Sequence, residues 1–157
     1  MTLRWLLAGL HLLALGVGLG AVWVRGRSLL SRLDERGLHA VFLADMWWGI
    51  AAFIWIGTGL WRLLAGLEKD TSYYLHNHLF LTKMGLLGVI LVLEVWPMMT
   101  LIKWRRQVRA GGLPVTRIAP ALARISFAQV VLVLVMVFLA SAMARGYGVP
   151  ADLPPSR

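Results

Sequence analysis

Six ionisable or strongly polar side chains interrupt the long apolar stretches of this sequence, and they are the residues best suited to chemistry. An ionised side chain at the centre of a bilayer costs at least about 2.5 kcal/mol by insertion scales, so such residues are usually retained for a partner, a cofactor or a transported ion. Imidazole binds haem iron and other metals, while carboxylates and guanidinium groups pair with one another. The six residues are His11, Asp45, Lys83, Glu94, Arg124 and Gln129.

Position along the apolar stretches divides these residues into two sets. The first set lies near the ends of the stretches that we predict to face outward. His11 lies eight residues after Leu3, where the first apolar stretch begins, which is about 12 Å of helix at a rise of about 1.5 Å per residue. Lys83 lies early in the third stretch, close to the loop that precedes it. We therefore predict one outward-facing cavity. Its candidate cofactor-binding residues are His11, Lys83, His78, His76, Arg62 and Tyr74.

The second set lies toward the opposite ends of the stretches. Glu94 lies eight residues before Ile102, the end of the third stretch, and Arg124 lies six residues after Ile118, the start of the fourth. Because the two residues have similar depths, we predict a structural ion pair between Glu94 and Arg124. Asp45 could join this pair, meet Arg25, or cap the start of a helix.

His11 is the strongest candidate for a metal ligand. Its neighbours at helical spacing include small Ala and Gly residues, which leave room for a flat ring. Histidines of helical bundles commonly hold haem iron, so we predict haem b with His11 as an axial ligand. The second ligand would come from His76, His78 or Lys83, or the position would stay open. The alternatives are a hydrogen-bonded bystander histidine and a Lys83 that extends to the membrane interface.

Four stretches are long and apolar enough to cross a bilayer. The 157-residue chain is 59% hydrophobic and 15% charged, with a mean hydropathy of +0.74, and such a composition is typical of membrane proteins. Backbone groups cannot remain unpaired in lipid, so these stretches must be helices. We predict an all-α, integral membrane four-helix bundle that forms one domain, residues 1–144. The predicted spans are 3–24, 42–67, 79–102 and 118–144, followed by a tail at 145–157.

Basic residues indicate how the bundle is oriented. Residues 25–41 contain four arginines and residues 103–117 contain five lysines or arginines, whereas residues 68–78 contain Lys69 alone. The positive-inside rule places the two basic loops in the cytoplasm. We therefore predict that both termini lie on the outer, periplasmic side of a bacterial inner (cytoplasmic) membrane. Charges and leucines alternate at helical spacing in residues 25–41, which predicts a short interfacial helix in the first cytoplasmic loop.

Charge and composition also exclude several classes of function. The net charge is +9, but the basic residues adjoin apolar stretches, where they meet anionic lipid headgroups. We therefore expect the lipid bilayer as the partner, and no nucleic acid. The chain has no cysteine, which excludes disulfides, thiolate metal ligands and covalent c-type haem attachment. Phosphate-binding loops, zinc-protease motifs and Ser-His-Asp sets are missing as well, so hydrolysis and nucleotide chemistry lack their residues.

The sequence resembles a family of predicted four-span bacterial membrane proteins over roughly its whole length, and it is distantly similar to HemJ-type protoporphyrinogen oxidases and to CopD-like membrane domains. The resemblance to the four-span family lies in Tyr73, Tyr74, Asn77, Phe80, Lys83, Pro97, Met98, Trp104 and Arg105. HemJ-type proteins have a histidine in the first span and a lysine early in the third, and His11 and Lys83 match these. The histidine that precedes that lysine by two residues is replaced by Leu81. The resemblance implies haem b binding and an oxidoreductase that oxidises a porphyrinogen.

Three functions are compatible with these residues, and whether the chain is an enzyme stays open. The first is a small haem b-binding redox protein, with electron transfer or HemJ-like oxidase activity and with a quinone or porphyrin as a further partner. The second is an oligomeric membrane transporter or channel component in which Glu94, Arg124 and Asp45 form an inner gate. The third is a membrane assembly or scaffold protein without chemistry, in which changes at His11 and Lys83 alter stability alone. Each of these three functions is compatible with a homo-oligomer.

Overall fold

Four long helices form the part of the chain that the computed structural model describes, residues 2–64 and 77–148. They are α1 (Thr2–Leu29), α2 (Glu35–Leu64), α3 (His78–Arg109) and α4 (Ala119–Ala144). Each helix contains a stretch that is long and apolar enough to cross a membrane. The prediction of an all-helical chain with four candidate spans is therefore confirmed.

At one end of the molecule the helices continue past the predicted spans. α1 extends to Leu29 and α2 begins at Glu35, while α3 extends to Arg109. The separate interfacial helix predicted for residues 25–41 is not seen, because these residues form the end of α1, a short connection at 30–34 and the start of α2. A bilayer core takes up about 20 helical residues, so the additional turns reach the headgroup region. We call this part, residues 25–41 and 103–117, the basic end.

Local contacts fix where two of the helices begin. At the start of α2 the Asp34 carboxylate accepts a hydrogen bond of 2.9 Å from the Gly37 backbone N–H, and the Arg32 carbonyl leaves no room for a Cβ atom at Gly37. At the start of α3 the Asn77 side chain accepts from the backbone N–H groups of two residues in the first turn. The Asn77 amide also donates to the Tyr147 carbonyl at 3.3 Å, which joins the start of α3 to the turn that follows α4.

The helices that pack closely against one another follow the order α2, α1, α4, α3. α1 packs against both α2 and α4, and α4 packs against α3, whereas α2 and α3 approach each other little. Glycines on α1 permit the closest approaches. A Cβ atom at Gly18 would lie 3.3 Å from the Ala51 Cβ on α2, and one at Gly26 would lie 2.9 Å from the Phe127 ring on α4.

Two clusters of buried apolar residues fill the bundle. One lies at the basic end and consists of Leu29, Leu38, Val41, Leu101, Trp104, Ala119, Leu122 and Ala123. The other lies in the middle of the bundle and consists of Ala21, Val22, Trp48, Ile90, Val130, Val133 and Met136. We call these the basic-end cluster and the central cluster.

The contact at Gly26 gives a first testable prediction. We expect Gly26→Ala to lower the free energy of unfolding by about 1–3 kcal/mol, because an added methyl overpacks the α1–α4 interface. Gly20→Ala is the matched control, since a Cβ atom at Gly20 meets nothing within 4 Å. Thermal unfolding in detergent, followed by tryptophan fluorescence, measures both. Equal melting temperatures for the two variants would show that α1 and α4 are not this close at Gly26.

Candidate functional site

Arg25 is the centre of a buried polar network that involves every helix. Its Nε donates to Ser126 at 3.1 Å, one terminal nitrogen donates to Asp45 at 2.9 Å and to Glu94 at 2.7 Å, and the other donates to Glu94 and to Gln129, each at 2.8 Å. A guanidinium group has five N–H donors, so all of them have partners. The Arg25 side chain has no exposed surface.

Further hydrogen bonds extend this network to Arg105, whose Nε is buried and has no hydrogen-bond partner among the described residues. Arg105 donates to the second oxygen of Asp45 at 2.6 Å and to the Phe42 carbonyl at 2.9 Å. The Gln129 amide donates to Glu94 at 2.8 Å. Two guanidinium groups thus face two carboxylates, so the cluster is formally neutral. We call it the Arg25 network, and its members are Arg25, Asp45, Glu94, Arg105, Ser126 and Gln129.

The position of the Arg25 network indicates a structural role. Along the helices, the basic-end cluster lies on one side of it and the central cluster lies on the other. A buried ion pair is stable only if the remaining lone pairs and protons are also satisfied, which is the arrangement around Arg25. Hydrogen bonds from one residue of α1 to α2, α3 and α4 fix how the four helices are aligned.

The structure contradicts the predicted ion pair between Glu94 and Arg124. Glu94 is bound by Arg25, and the Arg124 side chain is exposed. The prediction used depth alone and ignored rotation about the helix axis. Arg124 is offset from Ser126 and Gln129 by two and five residues, which corresponds to about 200° and 140° of helical rotation. Arg124 therefore lies on the opposite face of α4. Of the alternatives for Asp45, the structure shows the contact with Arg25.

A cavity of about 710 Å³ lies between the helices at the end opposite to the basic end. Ligand pockets commonly have volumes of about 300–1,000 Å³, so a sizeable organic molecule would fit. All four helices contribute to the wall, which is mostly aliphatic and aromatic. The polar members among the described residues are His11, Arg62, Lys83 and Ser141.

The outer residues predicted from the sequence differ in where the structure places them. His11, Arg62 and Lys83 all line this cavity, from three different helices. His78, the first residue of α3, is exposed and does not line it. His76 and Tyr74 lie outside the described residues. Depth along the helices was enough to predict that His11, Arg62 and Lys83 lie near one another. The direction of the His78 side chain depends instead on its position in the first turn of α3.

Three methionines also line the cavity, although nothing in the sequence analysis singled them out. They are Met84 on α3 and Met136 and Met143 on α4. Met136 and Met143 are seven residues apart, so they lie on one face of the helix after about two turns. This seven-residue spacing is the feature of the sequence that could have predicted a shared face for the two methionines. A thioether is flexible and polarizable, and it can bind haem iron as well as pack against a ligand.

His11 contacts α2 through one edge of its ring. The His11 Nδ1 lies 2.9 Å from the Thr58 hydroxyl, and a Cβ atom at Gly59 would lie 3.1 Å from the His11 Cε1. The Trp55 ring lies beside it, with ring centroids 5.7 Å apart. The indole N–H of Trp55 is buried and has no hydrogen-bond partner, so this part of the wall is suited to a molecule with an acceptor atom.

The described polar residues of the cavity can be compared with what a bare metal ion and haem would each require. Among residues 2–64 and 77–148, no three His, Asp or Glu side chains come together as a metal ion would require. Haem needs only one or two protein ligands, because its macrocycle supplies four nitrogens to the iron. His11 offers an imidazole, the apolar wall suits the macrocycle, and Lys83 and Arg62 carry charges opposite to those of the propionates.

Comparison with known proteins identifies a family. Residues 3–148 match the family described as "Predicted membrane protein (DUF2214)". No curated protein and no solved structure matches the chain. The matched residues include all of the Arg25 network and the described wall of the cavity. The chain therefore belongs to the predicted membrane protein family DUF2214.

Proposed function

We propose that this protein is a small integral membrane protein that binds haem b in the cavity around His11 and takes part in a redox reaction there. The observation that carries the proposal is an imidazole in the wall of an apolar cavity of about 710 Å³ that two cationic side chains also line. Haem would supply one-electron chemistry at a potential set by its axial ligands and by burial. The protein residues would bind it, orient it and exclude water.

Three polar residues of the cavity have a role in this proposal. His11 would hold the haem iron, and Lys83 and Arg62 would pair with the propionates. A second protein ligand would come from Met84, Met136, Met143 or Lys83, all of which line the cavity, or none would be needed. Arginine and lysine are the usual partners of carboxylates in proteins.

On the resemblance of His11 and Lys83 to the histidine and lysine of HemJ-type proteins, we extend the proposal to an oxidoreductase that acts on a porphyrin or passes electrons to a quinone. The unpartnered indole N–H of Trp55 is suited to a carbonyl or carboxylate of such a partner. We further propose that the basic end faces the cytoplasm of a bacterial cell, since positive residues are retained on that side. The cavity would then lie toward the periplasmic side.

A titration tests haem binding. Purified protein in detergent is titrated with haem b, and the absorption spectrum is compared with that of haem in detergent alone. We expect a saturable shift of the Soret band at one haem per chain, and weaker binding of haem dimethyl ester, which lacks the propionate charges. A spectrum that stays that of haem in detergent at every ratio would contradict the proposal.

The other two functions predict different results. A scaffold protein without chemistry predicts that His11→Ala changes the melting temperature and no spectroscopic property. A channel component predicts ion flux in liposomes that depends on Glu94 and Asp45. In the structure both carboxylates are bound by arginines, and apolar clusters lie on either side of them, an arrangement that does not favour an ion gate at these residues.

A further inference from the structure

Two exposed arginines near the basic end lie on neighbouring helices. Arg27 is in the last turn of α1, and Arg124 is the sixth residue of α4. Both side chains are exposed, and none of the ion pairs formed among residues 2–64 and 77–148 involves either of them. A long cationic side chain near the end of a membrane span extends to the headgroup region, where anionic groups are found.

Contacts between α1 and α4 place these two arginines at nearly the same depth. Gly26 approaches the Phe127 ring so closely that a Cβ atom would lie 2.9 Å from it. Arg27 is one residue after Gly26, and Arg124 is three residues before Phe127. Because α1 ends at the basic end and α4 begins there, both steps lead toward that end. At a rise of about 1.5 Å per residue the two depths differ by less than one helical turn.

The two arginines also share one outer surface of the bundle. Arg27 is two residues after Arg25, which corresponds to about 200° of helical rotation, so it lies on the face of α1 opposite to the Arg25 network. Arg124 lies on the corresponding face of α4. The two guanidinium groups therefore flank the line along which α1 and α4 meet on the outside of the bundle.

An aromatic and apolar surface continues from the arginines toward the middle of the spans. Trp23 packs edge to face on Phe127, with ring centroids 5.2 Å apart, and is itself 51% exposed. Farther along α1, a Cβ atom at Gly16 or Gly20 would meet nothing within 4 Å, and on α4 the Val131 side chain is exposed. Two cationic groups above a smooth apolar surface are complementary to a phosphate that carries acyl chains.

We propose that this outer surface of α1 and α4 binds one anionic phospholipid, with the lipid phosphate between Arg27 and Arg124. An acyl chain lies along Trp23 and Gly20. Guanidinium groups pair with phosphate oxygens through two parallel hydrogen bonds, and basic sites between membrane helices bind anionic headgroups. The site lies outside the bundle and near the basic end, so it does not depend on haem in the cavity at the opposite end.

A second copy of the chain is the other occupant that suits this surface, because glycines four residues apart permit close contact between membrane helices. A two-fold dimer would use the same surface on both copies. It would bring Arg27 and Arg124 of each copy together, and such a juxtaposition of like charges is unfavourable. The charge of the surface therefore favours a lipid.

Native mass spectrometry of the full chain in a non-ionic detergent tests the site. Phosphatidylglycerol and phosphatidylcholine with the same acyl chains are added separately, and the lipids retained per chain are counted. We expect one phosphatidylglycerol to be retained in preference to phosphatidylcholine, whose choline adds a positive charge beside the arginines. Equal retention of the two lipids, or a lipid-free dimer as the main species, would overturn the proposal.

Two double variants that lose the same charge separate this site from a general attraction to a basic surface. We expect Arg27→Gln/Arg124→Gln to weaken phosphatidylglycerol binding about 25-fold, or about 5-fold for each arginine near an anionic headgroup. Arg36→Gln/Arg109→Gln removes two exposed cations from α2 and α3 and should bind as the wild type does. Circular dichroism verifies that both variants are folded. Equal losses in the two variants would overturn the site.

Glycerol 1-phosphate tests the apolar part of the surface, since it carries a phosphate without acyl chains. We expect it not to displace phosphatidylglycerol when the two are present at equal concentration, because the contact with the apolar surface is missing. Displacement under these conditions would show that a soluble phosphate, and not a lipid, is the occupant, and would overturn the proposal.

Discussion

Replacing Arg25 by methionine should lower the free energy of unfolding by about 3–5 kcal/mol, the usual cost of removing one partner from a buried ion pair. Methionine is unbranched and flexible but has no donors, so Glu94 would lose two hydrogen bonds, and Ser126 and Gln129 would lose one each. Asp45 would keep its contact with Arg105. The measurement is unfolding in mixed detergent micelles, followed by circular dichroism.

Two comparisons show whether the effect comes from the Arg25 network. Arg124→Met removes the same kind of side chain from an exposed position and should change stability by no more than about 0.5 kcal/mol. In the double variant Arg25→Met/Glu94→Gln the uncompensated carboxylate is gone, so it should be more stable than Arg25→Met alone. Additive losses in the double variant, or equal effects at Arg25 and Arg124, would contradict the network.

Replacing His11 by alanine should abolish specific haem binding while the protein remains folded. Loss of a residue that hydrogen-bonds to a metal-binding histidine already weakens metal affinity about 10–100-fold. Loss of the histidine itself should weaken haem binding by more than this factor. His11 lines the cavity and is only partly buried, so its removal should change the helical content little. Absorption spectra and circular dichroism of the same sample measure the two properties.

His39→Ala is the control for that result. His39 is an exposed residue of α2 near the basic end, far from the cavity in the bundle, and its replacement should leave the spectrum unchanged. Added imidazole should restore part of the haem spectrum in His11→Ala, because the missing side chain leaves space for it. If the His11→Ala variant bound haem with wild-type affinity, His11 would not be a haem ligand.

Hydropathy predicted the four helices, but it did not predict where they end. An apolar stretch ends where charge begins, whereas a helix ends where its backbone hydrogen bonds lose their partners. Arg25 therefore seemed to begin a loop. In the structure it lies inside α1, because its charge is compensated by Asp45 and Glu94 from other helices. Such long-range partners cannot be found from the local sequence.

Depth along a helix was predicted better than direction around it. The depth argument grouped His11, Arg62 and Lys83, and the structure places all three around one cavity. Their role in binding remains a prediction. The same argument paired Glu94 with Arg124 and was wrong, because Arg124 points away from the bundle. The phase of a helix is set by which face packs, and in a span that is apolar all round the sequence gives little indication of that face.

The haem content of protein purified from membranes tests the central claim most directly. The wild type is expressed in cells supplied with haem precursor, purified in mild detergent, and assayed by the pyridine haemochrome method against protein concentration. We predict close to one haem b per chain, with none above background in His11→Ala prepared in parallel. A folded wild-type protein that contains no haem under these conditions would contradict the account.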